Sequence, residues 1–122
     1  LVHAALGELP LLVRVPWERA EELIQVLMEI ELAIFCLGPP RGVLPGSHGE
    51  LFLGRLYGRA LLPLALSAVR RIAVFGRQII GAGGVYTKQD VDVMLASGAQ
   101  AVQIDAALWG SNWWHKSVVD NP

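Results

Sequence analysis

Short apolar runs alternate with segments of helical period along the 122-residue chain. Four runs predict buried strands: Leu11–Val15, Leu32–Leu37, Gln78–Gly81 and Ala101–Ile104. Each is short and rich in Leu or β-branched residues. Both faces are apolar, the signature of a parallel sheet covered on both sides. Between them, Trp17–Glu31 carries Ala20, Leu23, Ile24, Leu27 and Met28 at three-four spacing, with Glu and Arg opposite. Arg59–Val74 repeats this through Leu62, Leu66, Val69, Ile72 and Ala73, with Pro63 in the first turn, where a missing N–H costs little. Thr87–Ser97 predicts a third helix, opened by Thr87 as N-cap with Asp90 in the capping-box place and stopped by Gly98.

The order strand, helix, strand, loop, helix, strand, helix, strand is a βα repeat. Strand starts fall 21, 46 and 23 residues apart. The excess is the Gly/Pro-rich stretch 38–58, which predicts a long loop at the C-terminal end of a strand, where βα barrels build their active sites. Four such units make an α/β chain, a partial (β/α)8 barrel, with about half of the roughly 250 residues of a full one. A half-barrel leaves two sheet edges and one apolar face uncovered. The expectation is a homo-oligomer, a covering partner, or a longer protein of which residues 1–122 are one piece; the start Leu1-Val2-His3 reads as a chain beginning partway through something.

Composition narrows the classes. Hydrophobic residues make up 53%, enough for a substantial core, and charged residues 17%. The net charge of −1 carries no basic footprint, so nucleic acid is not an expected partner. No apolar run reaches the roughly 18 residues of a membrane span. The lone Cys36 excludes an internal disulfide and a Cys-based zinc cage within one chain. It fits a reducing, cytoplasmic setting. His3, His48 and His115 lack metal-ligand spacing, so no metal is expected. Glu18, Glu21, Glu22 and Glu29 fall on the polar side of a helix and read as solvated; Asp90 and Asp92 read as serving a helix dipole.

The most informative stretch is Gln78-Ile79-Ile80-Gly81-Ala82-Gly83-Gly84-Val85-Tyr86-Thr87. A buried strand runs into adjacent glycines and then a helix N-cap. Such glycines expose backbone N–H groups to an anion, and the helix start favours one. The same glycines also suit a tight turn without a ligand. Tyr86 stands where a dinucleotide fingerprint needs its third glycine. The next strand and its exit, Gln100 to Trp109, supply a second loop, and in βα barrels the last two such loops commonly share one phosphate.

Four stretches resemble the dihydroorotate dehydrogenase family, in order and across Leu11 to Trp109. Gly54-Arg55-Leu56-Tyr57-Gly58-Arg59-Ala60-Leu61-Leu62-Pro63-Leu64-Ala65-Leu66 is similar to G-x-L-S-G-x-x-(L/I)-x-P-x-(A/S)-L. Ile79-Ile80-Gly81-Ala82-Gly83-Gly84-Val85 resembles I-I-G-x-G-G-(V/I). Ser97-Gly98-Ala99-Gln100-Ala101-Val102-Gln103 resembles A-G-A-x-x-V-Q, and Leu12-Val13-Arg14-Val15-Pro16 resembles the fifth-strand V-K-(L/I)-x-P. The resemblance implies strands five to eight of an FMN-binding barrel that oxidises dihydroorotate to orotate in pyrimidine biosynthesis. It implies that Gly58 lies close to the flavin. The amides of Gly83 and Gly84 would hold its phosphate, helped by those of Asp105 and Ala106. Arg14 matches the family lysine at the flavin's electron-rich edge, where a cation stabilises the reduced ring; its planar fork differs from a lysine point charge, and an ion pair is its other reading.

The chain departs from the pattern in three places. The sixth strand ends in Cys36-Leu37-Gly38-Pro39-Pro40, where the family places Asn and Thr that touch flavin and substrate. The last strand leads into Asp105-Ala106 instead of Gly-Thr or Tyr-Thr, and an Asp beside a phosphate is repulsive unless it points away. The family's catalytic base, a Cys or Ser on the loop after the fourth strand, would precede Leu1, so no catalytic residue is assigned; Cys36 reads as core. The rival reading is a non-catalytic interaction subunit derived from this barrel and packed in a larger assembly. A third is another FMN-barrel enzyme with a different substrate. The tail Trp109–Trp114, which holds three of the four tryptophans and runs into residues 110–122, reads either as a surface for a partner or a membrane, or as Trp109 within the barrel with the others covering its end.

Overall fold

The computed structural model describes residues 7–31 and 33–109. His3 and the tail 110–122, on which some expectations fell, lie outside them. The elements run β1 (Leu11–Pro16), a 3-10 turn (Trp17–Arg19), α1 (Ala20–Val26), β2 (Ala33–Gly38), β3 (Arg41–Pro45) and β4 (Leu51–Arg55). A second 3-10 turn (Arg59–Leu61) then leads into α2 (Leu62–Ala73), β5 (Ile79–Ala82), α3 (Lys88–Ala96), β6 (Ala101–Gln103) and a last 3-10 turn (Ala106–Trp109). The fold is α/β. Strands β1, β2, β5 and β6 form one parallel sheet in that order, as four neighbouring βα units of a barrel do.

The register fixes which residues share a face. Leu11–Pro16 pair one to one with Ala33–Gly38, Cys36 pairs with Ile80, and Ile80 with Ala101. Val13, Val15, Ala33, Phe35, Leu37, Ile79 and Val102 therefore point one way, and all of them join the core. Helix α2 supplies the facing stripe: Ala65, Ala68, Val69 and Ile72 recur at helical spacing and are buried. Ile24 of α1 and Met94 of α3 complete it. Burying side chains of this size stabilises the sheet by roughly 1.5–3 kcal/mol each, before the entropy of ordering them.

The opposite face carries Leu12, Arg14, Ile34, Cys36, Ile80 and Gln103. The core contacts of the helices all lie on the first face. Among the described residues the helices cover the first face; on the second, Cys36 and Ala82 are buried while Leu12 remains 57% exposed.

Two more expectations change. The stretch 38–58 holds a β-hairpin instead of a plain loop. Arg41–Pro45 pair antiparallel with Leu51–Arg55, closed by Gly46 N–H donating to the Glu50 carbonyl at 2.7 Å. The glycines and prolines mark its turn and base, while Val43, Leu44, Phe52 and Leu53 supply strand-forming side chains that stay exposed. The first helix is also shorter than Trp17–Glu31: a 3-10 turn opens it and α1 ends at Val26. Arg77, from the approach to β5, takes the carbonyls beyond that end. Its guanidinium donates to Met28 O at 3.1 Å, to Ile30 O, and to Ala33 O at 3.5 Å. A turn held this way delivers the chain directly into β2.

The third helix follows its sequence signal closely. Asp90 N–H donates to Thr87 Oγ1 at 3.2 Å, and Asp90 Oδ2 accepts from the amides of Thr87 and Tyr86, each at 2.9 Å. Asp90 is buried by this reciprocal cap. Asp92 pairs with Lys88 across one helical turn at 2.8 Å. The four glutamates of the first helical segment are exposed, with Glu21 on Arg71 and Glu22 on Arg19, both at 2.7 Å.

Candidate functional site

Because the four strands are parallel, their C-terminal ends share one edge of the sheet. Gly83 and Gly84 follow β5 there, Asp105 and Ala106 follow β6, and Arg14 lies in the C-terminal half of β1. Gly83 and Gly84 follow β5 directly, with φ of +117° and +73°, a conformation that side chains disfavour. They also pack tightly. A Cβ on Gly83 would stand 2.4 Å from Cζ2 of Trp17, and one on Gly84 would stand 2.3 Å from the backbone N of Leu62. The turn is therefore wedged between the first 3-10 turn and the start of α2. No hydrogen bond among the described residues occupies the amide of either glycine. Beside them, the Trp17 indole N–H is a buried donor without a partner among the described residues.

Gly58 precedes the second 3-10 turn with φ +138°. The next residue, Arg59, reaches Asp90 at 3.8 Å and lies over the Tyr86 ring, 6.0 Å from its centroid. Gly58 is thereby tied to the helix that follows the glycine pair. On its other side, Tyr57 meets Trp109 edge-on, ring centroids 4.9 Å apart. Trp109 closes the turn that begins at Ala106, so the loops after β4, β5 and β6 converge.

Asp105 and Ala106 differ from the glycine pair. Asp105 Oδ1 accepts the Ala106 amide at 2.6 Å. This N–H, at the start of a 3-10 turn, already has a carboxylate of its own chain as its anion.

Arg14 projects from the face that the helices leave uncovered. Its Nη2 donates to Gln103 Oε1 at 3.0 Å, and the same oxygen accepts from the Cys36 thiol at 3.2 Å. Its aliphatic stem runs over Gly38, where a Cβ would come within 3.1 Å of Arg14 Cγ. Burial pushes the Cys36 thiol up from its usual range, the Arg14 guanidinium pulls it back, and Asp105 pushes it up again. Arg14, Cys36 and Asp105 thus share one electrostatic environment. The protonated thiol is a hydrogen-bonded core group, not a poised nucleophile.

Gln103 closes the stretch Ser97–Gln103, where sequence alone gives it no role. The available signal was a polar residue in an apolar strand, at the position that shares a face with Arg14. Trp17 was missed because its packing against Gly83 joins residues far apart in sequence. Among the described residues, no three His, Cys, Asp or Glu side chains are grouped to hold a metal ion, and no helix is long and apolar enough to cross a membrane.

For a flavin phosphate, the glycine side of this edge fits. It offers two amides without a hydrogen-bond partner among the described residues, on a turn that packs against Trp17 and Leu62. The Asp105–Ala106 side offers an amide that is already engaged.

The family model for dihydroorotate dehydrogenase matches residues 47–121, which include the hairpin's second strand, the glycine pair and the β6 exit. Dihydroorotate dehydrogenase A (fumarate) of Lactiplantibacillus plantarum is 41% identical over 65 residues, 52% of this chain and 20% of that protein. The catalytic subunit of dihydroorotate dehydrogenase B (NAD(+)) of Saccharolobus solfataricus is 43% identical over 56 residues, 45% of this chain and 19% of that protein. The matched segments thus span about a fifth of these relatives' lengths. With the motifs in order, the strands in barrel sequence and the family model covering more than half of its residues, the chain belongs to the dihydroorotate dehydrogenase family.

Proposed function

We propose that this chain forms strands five to eight of a (β/α)8 barrel in an FMN-dependent oxidoreductase resembling dihydroorotate dehydrogenase, and that it supplies the flavin phosphate grip. The observation that carries the reading is the Gly83–Gly84 turn. Its two amides have no hydrogen-bond partner among the described residues and directly follow β5, while Arg14 lies in the C-terminal half of β1 and Gly58 precedes Arg59, which reaches Asp90 of α3. Gly83 and Gly84 would bind the phosphate, with weaker help from Asp105 and Ala106. Gly58 would allow close approach of the ring. Arg14, held in orientation by Gln103, would set a fixed positive charge beside it. Bound FMN supplies the two-electron acceptor for oxidation of dihydroorotate to orotate. A base from outside residues 7–109 would take the substrate proton, and the uncovered sheet face would be closed by the rest of the barrel or by a second copy.

A second reading rests on one specific observation. Asp105 already fills the place of an anion on Ala106, which suits a barrel half kept as a packing module. The visible spectrum separates the two. Purified chain that shows flavin bands, or gains them with added FMN and releases FMN on denaturation, supports the first. A colourless chain that takes up none supports the second.

A further inference from the structure

A cavity of about 470 Å³ opens at the ends of β1 and β2, walled on its far side by the base of the hairpin. Arg14, Arg19, Arg41 and Arg55 line it, with Glu18 as its one acid. Arg19 is neutralised by Glu22, which it grips with two hydrogen bonds of 2.7 and 3.1 Å. Arg14 spends its hydrogen bond on the neutral amide of Gln103. Glu18 accepts only the backbone N–H of Arg41, at 3.3 Å. Arg41 and Arg55 have no carboxylate within salt-bridge distance among the described residues.

The hairpin register sharpens this imbalance. Arg41 and Arg55 are directly opposite one another across the antiparallel pair. Like charges in that position destabilise a hairpin. Nothing in the local fold requires them, since both side chains are exposed and neither packs in the core. Guanidinium groups gathered around a concave space suit a planar or tetrahedral oxyanion, which they grip through paired N–H donors.

We propose that Arg41 and Arg55, with Arg14 opposite, form an oxyanion-binding site for a small dianion, a phosphate ester or a dicarboxylate. The site is built on the β3–β4 hairpin and is distinct from the Gly83–Gly84 grip. The anion relieves the like-charge pair, so binding and hairpin stability are linked.

Thermal melts and calorimetric titrations of the full chain test this, with inorganic phosphate or succinate added against sodium chloride at equal ionic strength. The expected result is a rise in Tm beyond that from chloride, with either or both anions; which one acts identifies the chemistry. Arg55→Gln and Arg41→Gln should each weaken that binding by about tenfold or more. Without added anion, each should melt at or above the wild-type temperature, because the repulsion is gone. Equal responses to phosphate, succinate and chloride overturn the site. So does binding in both variants that falls by less than tenfold, since the anion would then lie elsewhere. Flavin uptake by Arg55→Gln, read from its visible spectrum, should match wild type, which keeps failure of this proposal separate from failure of the FMN reading.

Discussion

The two loops that leave β5 and β6 occupy equivalent places in the βα repeat, yet their amides are in opposite states. After β5, Gly83 and Gly84 have no side chains, hold left-handed φ angles and find no acceptor for their N–H groups among the described residues. After β6, Asp105 turns its own carboxylate onto the amide of Ala106 at 2.6 Å. One arm has amides without a partner among the described residues, while the other has supplied its own acceptor. A shared phosphate would add its charge beside that carboxylate, which raises the cost of binding without removing the site. Close packing around the glycines maintains the turn whether or not a ligand uses it.

Substitutions at each arm would separate these contributions. The largest effect is expected at Gly84. Gly84→Ala places a methyl group 2.3 Å from the Leu62 backbone, at a φ of +73°. Overpacking and backbone strain together should cost about 3 kcal/mol or more, measured by urea denaturation, and flavin uptake should vanish with it. Wild-type stability in this variant would mean that the turn is not wedged as described. Next comes the other arm: Asp105→Asn keeps an acceptor for Ala106 but removes the charge, and should tighten FMN binding by about tenfold, followed by fluorescence quenching. An unchanged affinity would place the phosphate away from β6.

A smaller change is expected where the β5 arm passes into its helix. Thr87→Ala removes one half of the reciprocal cap and should cost about 1 kcal/mol by the same denaturation assay. The smallest effect is a pH dependence. Cys36 has its thiol pKa raised in the folded chain, so folding favours the protonated form. That contribution is fully present below the thiol's unfolded pKa and is lost as pH rises into the alkaline range above it. Cys36→Ala should show a flatter decline of stability over that window, and an identical decline in both proteins would remove the thiol as its source.

The residues easiest to read in the sequence were those with local partners. Thr87 and Asp90 signal their cap from three positions apart, and the α2 stripe repeats within one helix. The glycine pair was legible because glycine after a buried strand has few uses. The hairpin was hidden because its glycines and prolines dominate the composition of 38–58, while its pairing depends on alternation of only a few residues. Gln103 was hidden for another reason. Its bond to Arg14 spans 89 positions and exists only once four strands lie in order. The state of the Ala106 amide was equally out of reach, since an Asp at a turn can point toward or away from its neighbour.

The ends of the sheet carry a practical consequence. Among the described residues, β1 pairs only with β2 and β6 only with β5, so each presents a free row of backbone donors and acceptors. Such rows recruit whatever strand comes near during refolding. Recovery from denaturant should therefore depend on dilution: yields should be high at low protein concentration and fall steeply as copies begin to meet before their sheets are covered. A charge at Leu12, on the half-open β1, should be the simplest way to raise them.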